Sequence, residues 1–175
     1  DYNKIFNCNL FKKLTLGINP KLFTSEQITN FFLRNNKIKI INSDLIRINK
    51  KKSVSNDKPF FSIDKSISGE SHKSKINKIS NYLKKYKAKL IFISAPENVA
   101  WLLNIRGHDN PNSPIPNCHL LLDNNKKIYL ITDSLKARKL LKEKKLSPAQ
   151  IINFKKIDVL EKKYLNKKII IDKKT

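Results

Sequence analysis

Arg106, His108 and Asp109 stand together around Gly107, a few residues after the only tryptophan of the chain, Trp101. These residue types can do chemistry. The guanidinium of Arg106 could bond the carbonyls of the proline-rich loop that follows, pair with Asp109, or reach a neighbouring domain. The His108 imidazole could face a substrate channel as a donor or acceptor near neutral pH. Each residue also has a plainer reading: Trp101 as a core aromatic of a short helix, Arg106 as a loop clamp, His108 as an exposed loop side chain. Asp109 and Asn110, before Pro111, are turn formers whose side chains bond the following backbone. Gly107 is needed for its backbone alone. The histidines are His72, His108 and His119, and none keeps a metal-ligand spacing with carboxylates. Cys118 and His119 begin a strand, where alternation sends one inward and the other outward, so they make a poor metal pair. No Ser/His/Asp or Cys/His arrangement suggests nucleophilic catalysis.

The elements that must position this stretch are legible on either side of it. From Glu97 to Asn104 the apolar residues Val99, Ala100, Leu102 and Leu103 form a short helical stripe. Pro96 suits a helix entry, and Gly107 is the expected stop. Pro111, Pro114 and Pro116 then predict an ordered, irregular loop over 108–117. Before it, Ser71 caps a helix through Tyr86, with Ile76, Ile79, Leu83 and Tyr86 on its apolar face and lysines on the other. Residues 89–94 form a strand leading into the loop. After it come strands at 118–122 and 127–132, joined by Asp123, Asn124 and Asn125 as a hairpin. A helix over 134–144 follows, with Leu135, Ala137, Leu140 and Leu141 available to pack. A strand, helix, strand series occupies 151–154, 159–164 and 168–172. Nearer the start, 14–18 is a strand, Thr24 and Gln27 have capping-box spacing, and 37–42 is a second strand. Residues 47–68, with a lysine triplet, Ser, Asn and Pro, form the best linker. The expected fold is α/β: a mixed sheet flanked by helices and containing one antiparallel hairpin, preceded by part of a similar domain.

Composition limits the function classes. Lys and Arg total 37 against 14 acidic residues, a formal charge of +23. Arginine occurs at Arg34, Arg47, Arg106 and Arg138 alone, whereas base readout and phosphate clamps lean on Arg. Lysine is spread through every element, which reads as biased usage rather than a localised nucleic-acid footprint. Nucleic acid is therefore not an expected partner. Cys8 and Cys118 are far apart with no CxxC spacing, and a reduced, cytoplasmic protein is expected. No apolar run reaches the roughly 20 residues of a membrane helix, and no membrane partner is expected. The start, DYNKIFNCNL, and the end, IIIDKKT, read as those of a fragment.

The stretch ENVAWLLNIRGHDNPNSPIP resembles the middle domain of the aminopeptidase P family, the Xaa-Pro aminopeptidases of the creatinase/prolidase group. There a segment (D/E)-x-(I/V)-A-W-L-x-N-(L/I)-R-G-x-D-x-x-x-x-P is characteristic, matched here by Glu97, Val99, Ala100, Trp101, Leu102, Asn104, Ile105, Arg106, Gly107, Asp109 and Pro114. SGESHKSKINKI, over 68–79, is similar to the family's G-E-S-x-x-x-K-(I/L) entry into the first helix of that domain. LGINPKLFT looks like its (V/I)-G-x-D-P-x-L-x-T segment, with Asn19 in place of the usual Asp. His108 stands where a small residue is more common.

The resemblance implies a creatinase/prolidase N-terminal type of fold. Residues 1–58 would be the back part of a truncated first domain, 59–70 a linker and 71–175 the middle domain. It implies that catalysis belongs to a C-terminal pita-bread domain, with two divalent metal ions, manganese, bound by two Asp, one His and two Glu outside this chain. The segment 132–135 lacks the Arg of the family's T-D-x-R-Y motif, so no substrate role is carried to it. The chain is thus expected to be inactive by itself. It would narrow access to the catalytic cleft and support a homodimer of an enzyme that cleaves before a proline in second position. Trp101, Arg106, His108 and Asp109 are its candidates for substrate or interdomain contact. The competing reading is a creatinase-like binding module for an acidic partner or nucleic acid.

Overall fold

The computed structural model describes residues 12–33, 36–42 and 57–172. They fall into two compact units, the second being Ser55–Lys173. Part of the lysine-rich stretch read as a linker, 47–56, lies outside the described residues.

In the first unit β1 (Thr15–Ile18) pairs in parallel with β2 (Lys37–Ile40), with Leu16 opposite Ile38. The crossover begins at α1 (Ser25–Gln27), where the expected capping box forms: Thr24 Oγ1 accepts from the Gln27 N–H, and Gln27 Oε1 accepts from the Thr24 N–H. The helix widens to a π turn over Ile28–Phe32, and the Phe32 ring meets Phe23 edge-on at 5.0 Å.

The second unit is built on a five-stranded sheet of order β8–β7–β6–β4–β9. Its strands are β4 (Leu90–Ile93), β6 (His119–Asp123), β7 (Ile128–Ile131), β8 (Ile151–Ile152) and β9 (Ile169–Ile170). The pairs β4–β6 and β6–β7 are antiparallel, and the outer pairs β7–β8 and β4–β9 are parallel. The sheet is therefore mixed, as its hairpin required.

Its strands read as continuous apolar runs because both faces are covered. Alternation divides them. Ile91, Ile93, Leu120, Leu122, Ile128 and Leu130 face a core completed by α3 (His72–Lys85), α4 (Pro96–Leu103) and α5 (Ser134–Lys142). Leu90, Phe92, Leu121, Tyr129 and Ile131 face a smaller cluster closed by Leu160, within α6 (Asp158–Lys163), and Tyr164, just beyond its end. Leu135 and Tyr86, expected to pack, are about half exposed: Leu135 lies in the first turn of α5, and Tyr86 caps α3 beyond its packed face.

Residues 59–70 pack within this unit. Phe60 is fully buried, and its N–H donates to the Lys136 carbonyl at 2.8 Å. β3 (Phe61–Ser62) pairs antiparallel with β5 (Ile105–Arg106), and α2 (Lys65–Ser68) follows, capped by Asp64.

Candidate functional site

The stretch around Arg106 is shaped by a helix end. α4 opens at Pro96 and closes at Asn104, which takes the left-handed conformation, φ 51° and ψ 54°. Asparagine tolerates this region better than most non-glycine residues. The helix therefore ends before Gly107, the stop that its residue type suggested. Gly107 lies outside the left-handed region and is small for another reason. A Cβ there would sit 2.7 Å from the Pro116 Cα and 3.2 Å from the Phe60 ring, and the Gly107 N–H donates to the Pro114 carbonyl at 2.9 Å. The glycine lets the proline loop close back onto β5.

Asn104 is buried, and every polar group of its side chain is used. Its Oδ1 accepts from Lys75 Nζ at 2.7 Å, and its Nδ2 donates to the Glu70 carbonyl at 2.7 Å. Its own carbonyl accepts from the Ile63 N–H at 3.0 Å and from Lys145 Nζ at 3.1 Å. Lys75 is only 2% exposed and also donates to the Trp101 carbonyl at 2.8 Å, placing a cation at the negative end of α4. Burial pushes its pKa down; nearby Glu70 opposes that, while Arg106 and Lys78 add to it. Lysines on α3 were expected on its outer face, and Lys75 is the exception. The G-E-S-x-x-x-K segment thus acquires a physical account. Gly69 ends α2 at φ 74°, Glu70 offers its carbonyl to Asn104, Ser71 caps α3, and Lys75 secures the end of α4.

The four residues singled out in the sequence are brought to one neighbourhood but not to one cluster. Trp101 is 54% exposed, contrary to its reading as a core aromatic. It lies off the stripe of Val99, Leu102 and Leu103, and its ring stands 4.4 Å from Lys75 Nζ in a cation–π contact. Arg106, half-buried on β5, donates from Nη1 to the carbonyl of Ile105 at 2.8 Å. His108 is exposed, with its ring 5.2 Å from that of Phe61. Asp109 pairs with Lys136, and its Oδ2 accepts from the Asn117 N–H at 2.6 Å. Burial lowers the pKa of Lys136, against the pull of Asp57. Asp109 therefore ties the two ends of the loop to α5, and Asn110 makes the expected local turn by accepting from the Asn112 N–H at 3.2 Å.

Cys118 is fully buried and its thiol is pushed up to about 12, while His119 is half-buried, with Nδ1 2.7 Å from the Ser94 carbonyl. Among the described residues no three His, Cys, Asp or Glu side chains are grouped to hold a metal ion, so these residues do not fit a metal centre. The second lysine on the Asn104 carbonyl, Lys145, has its pKa lowered by burial and bonds Ser62 Oγ at 3.2 Å. The sequence reading missed Lys75, Asn104, Lys136 and Lys145 as organising residues. One signal was available: Lys75, Ile79 and Leu83 share one helical stripe, and a lysine on an apolar stripe needs partners.

A mixed sheet with helices on both faces, carrying a fingerprint loop locked at a left-handed asparagine, defines an α/β domain of the creatinase N-terminal type. The Creatinase/Prolidase N-terminal domain model matches residues 50–175. The chain belongs to that family. Similar proteins include probable Xaa-Pro aminopeptidases P of Laccaria bicolor, 42% identical over 55 residues, and Coprinopsis cinerea, 37% identical over 57 residues. These matches cover 31% and 33% of this chain and 9% of each relative. Xaa-Pro aminopeptidase 1 of Dictyostelium discoideum is 32% identical over 75 residues, 43% of this chain and 12% of that protein. The fold matches the crystal structure of X-prolyl aminopeptidase from Caenorhabditis elegans, a cytosolic enzyme with a di-nuclear active site. The TM-score is 0.72 at 21% identity, over 88% of this chain and 26% of that one.

Proposed function

We propose that this chain is the non-catalytic N-terminal portion of a metal-dependent Xaa-Pro aminopeptidase, an enzyme that releases the N-terminal residue preceding a proline. The observation that carries the reading is its sequence similarity to three Xaa-Pro aminopeptidases of which it spans only a small part. In this reading residues 1–58 are the end of a first domain, 59–70 a linker and 71–175 the middle domain. The peptide-cleaving groups and two divalent metal ions, manganese, reside in a pita-bread domain joined to it. The protein is cytoplasmic and works as a homodimer.

The fingerprint stretch is the surface offered to that catalytic domain. Trp101 and His108 are exposed there, while Arg106 lies half-buried on β5 beside the rigid end of α4. Such a face narrows the approach to a cleft without taking part in bond breaking. The test joins this chain to a pita-bread domain and compares cleavage of short and long Xaa-Pro peptides with that by the catalytic domain alone. Selectivity for short peptides is expected in the joined protein only; identical length profiles would overturn the proposed role.

A further inference from the structure

The sequence spreads lysine over every element, yet the topology gathers one set. Four segments meet at one end of the five-stranded sheet: the end of α3, the start of β4, the β6–β7 turn and the α6–β9 connection. They are tied directly to one another. Lys168 Nζ donates to the Tyr86 carbonyl at 3.0 Å, the Lys89 N–H to the Lys168 carbonyl at 2.9 Å, and the Asn124 N–H to the Lys89 carbonyl at 2.9 Å. Lys89 Nζ returns to Asn124 Oδ1 at 2.9 Å. Exposed lysines from all this chain, among them Lys84, Lys85, Lys87, Lys126, Lys167 and Lys168, therefore share one end of the domain.

No exposed carboxylate offsets them within these segments. The acid there, Asp123, is buried, and it accepts from the N–H groups of Asn125 at 2.9 Å and Lys127 at 3.0 Å and from the Tyr164 hydroxyl at 3.3 Å. From Ser71 to Pro96 the sequence contains no acidic residue at all. Beside the lysines stand two aromatic rings four residues apart, Tyr82 in the last turn of α3 and Tyr86 at its C-cap. Tyr82 and Tyr86 are 48% and 47% exposed, their centroids lie 4.4 Å apart, and Lys85 Nζ is 6.0 Å from the Tyr86 ring. The negative end of the α3 dipole accounts for Lys84 and Lys85. It does not account for cations on the hairpin turn and the α6–β9 connection, and lysine usage does not account for exposed tyrosines.

We propose that this end of the domain binds single-stranded nucleic acid through its phosphate backbone, with bases stacking on Tyr82 and Tyr86. Lysine ammonium groups neutralise phosphates as point charges and lack the fork that reads base edges, so binding has no sequence preference. Release of counterions makes it steeply salt-dependent. An acidic peptide would gain from the cations but has no use for the paired rings, and a lipid surface would call for more exposed apolar side chains than the one that Leu165 supplies beside two tyrosines packed against each other.

The experiment uses the 175-residue chain and a fluorescein-labelled oligouridylate, read by anisotropy across a salt series, with circular dichroism recorded for every variant. Lys84→Glu/Lys85→Glu/Lys168→Glu is expected to weaken binding at least about tenfold and to flatten the salt slope. Tyr82→Ala/Tyr86→Ala should weaken it about fivefold or more, leaving the salt slope in place. Lys142→Glu/Lys155→Glu/Lys156→Glu, an equal charge change elsewhere on the surface, should stay within about twofold. Equal losses in the two lysine triples would overturn the proposal, because the attraction would then be diffuse. Unchanged affinity in the tyrosine variant would also overturn it, as would capture by phosphatidylserine vesicles with no binding to the oligonucleotide.

Discussion

Asn104 holds its left-handed turn because its amide is committed at both ends, to Lys75 and to the Glu70 carbonyl. Gly107 illustrates the opposite case, a residue selected by what lies next to it rather than by its torsions. A methyl group at that position would press on the Pro116 backbone, which cannot yield as a flexible side chain would. Gly107→Ala is expected to cost about 1–3 kcal/mol in urea unfolding, and an unchanged midpoint would contradict the close approach. Cys118 makes a prediction in pH. Burial raises its folded-state pKa from the ordinary 9.0 to about 12. Below pH 9.0 both states keep the proton and the contribution is complete; from there to about 12 the unfolded chain alone gives it up, so stability falls as pH rises. The Tyr164 phenol, also pushed up by burial, adds to the same fall. Cys118→Ala should therefore be less stable at neutral pH yet lose stability more slowly on raising the pH above 9.0. Equal slopes in urea midpoints against pH would remove this account of Cys118.

At the scale of elements, α4 separates packing from presentation. Leu102 is 1% exposed in the main core, while the adjacent Trp101 is 54% exposed over Lys75. Leu102→Ala should cost about 2–5 kcal/mol, and Trp101→Ala no more than about 1 kcal/mol, the scale of an exposed cation–π contact. Thermal or urea unfolding measures both, and a larger loss from the tryptophan would mean that its ring is buried after all. Strands and long helices were readable from the chain because Ile, Leu and Val recur at the period of each element, and the Thr24–Gln27 cap and the Asp123 hairpin followed from local side-chain chemistry. The misreadings have a common source. Residue type alone points Trp101 to the core, whereas the stripe of Val99, Leu102 and Leu103 leaves it outside. Gly107 has the residue type of a helix stop, while the partner that requires it to be small, Pro116, is nine positions away. Phe60, beside Phe61 and Ile63 in an otherwise polar stretch, has the residue type of a locally packed side chain, and α5 is the element that buries it. The partnerships of Lys75, Lys136 and Lys145 join separate elements, and no local rule foretells which acceptor a lysine will find.

For the whole molecule, membership of the creatinase/prolidase N-terminal family accounts for the mixed sheet and for the density of special residues at one helix end. Under the proposed function, that density serves a docking surface, and hydrolysis belongs to a domain with its own metal ligands. Two carboxylates at the fingerprint are held by lysines, Asp109 by Lys136 and Glu70 by Lys78. The most direct measurement is the rate at which the 175-residue chain, supplied with manganese, hydrolyses an Xaa-Pro peptide, set beside the same chain joined to a pita-bread catalytic domain. The account predicts no release of the N-terminal residue by the chain alone and turnover by the joined protein. Hydrolysis by the chain alone, abolished by substitution of its own residues, would contradict it.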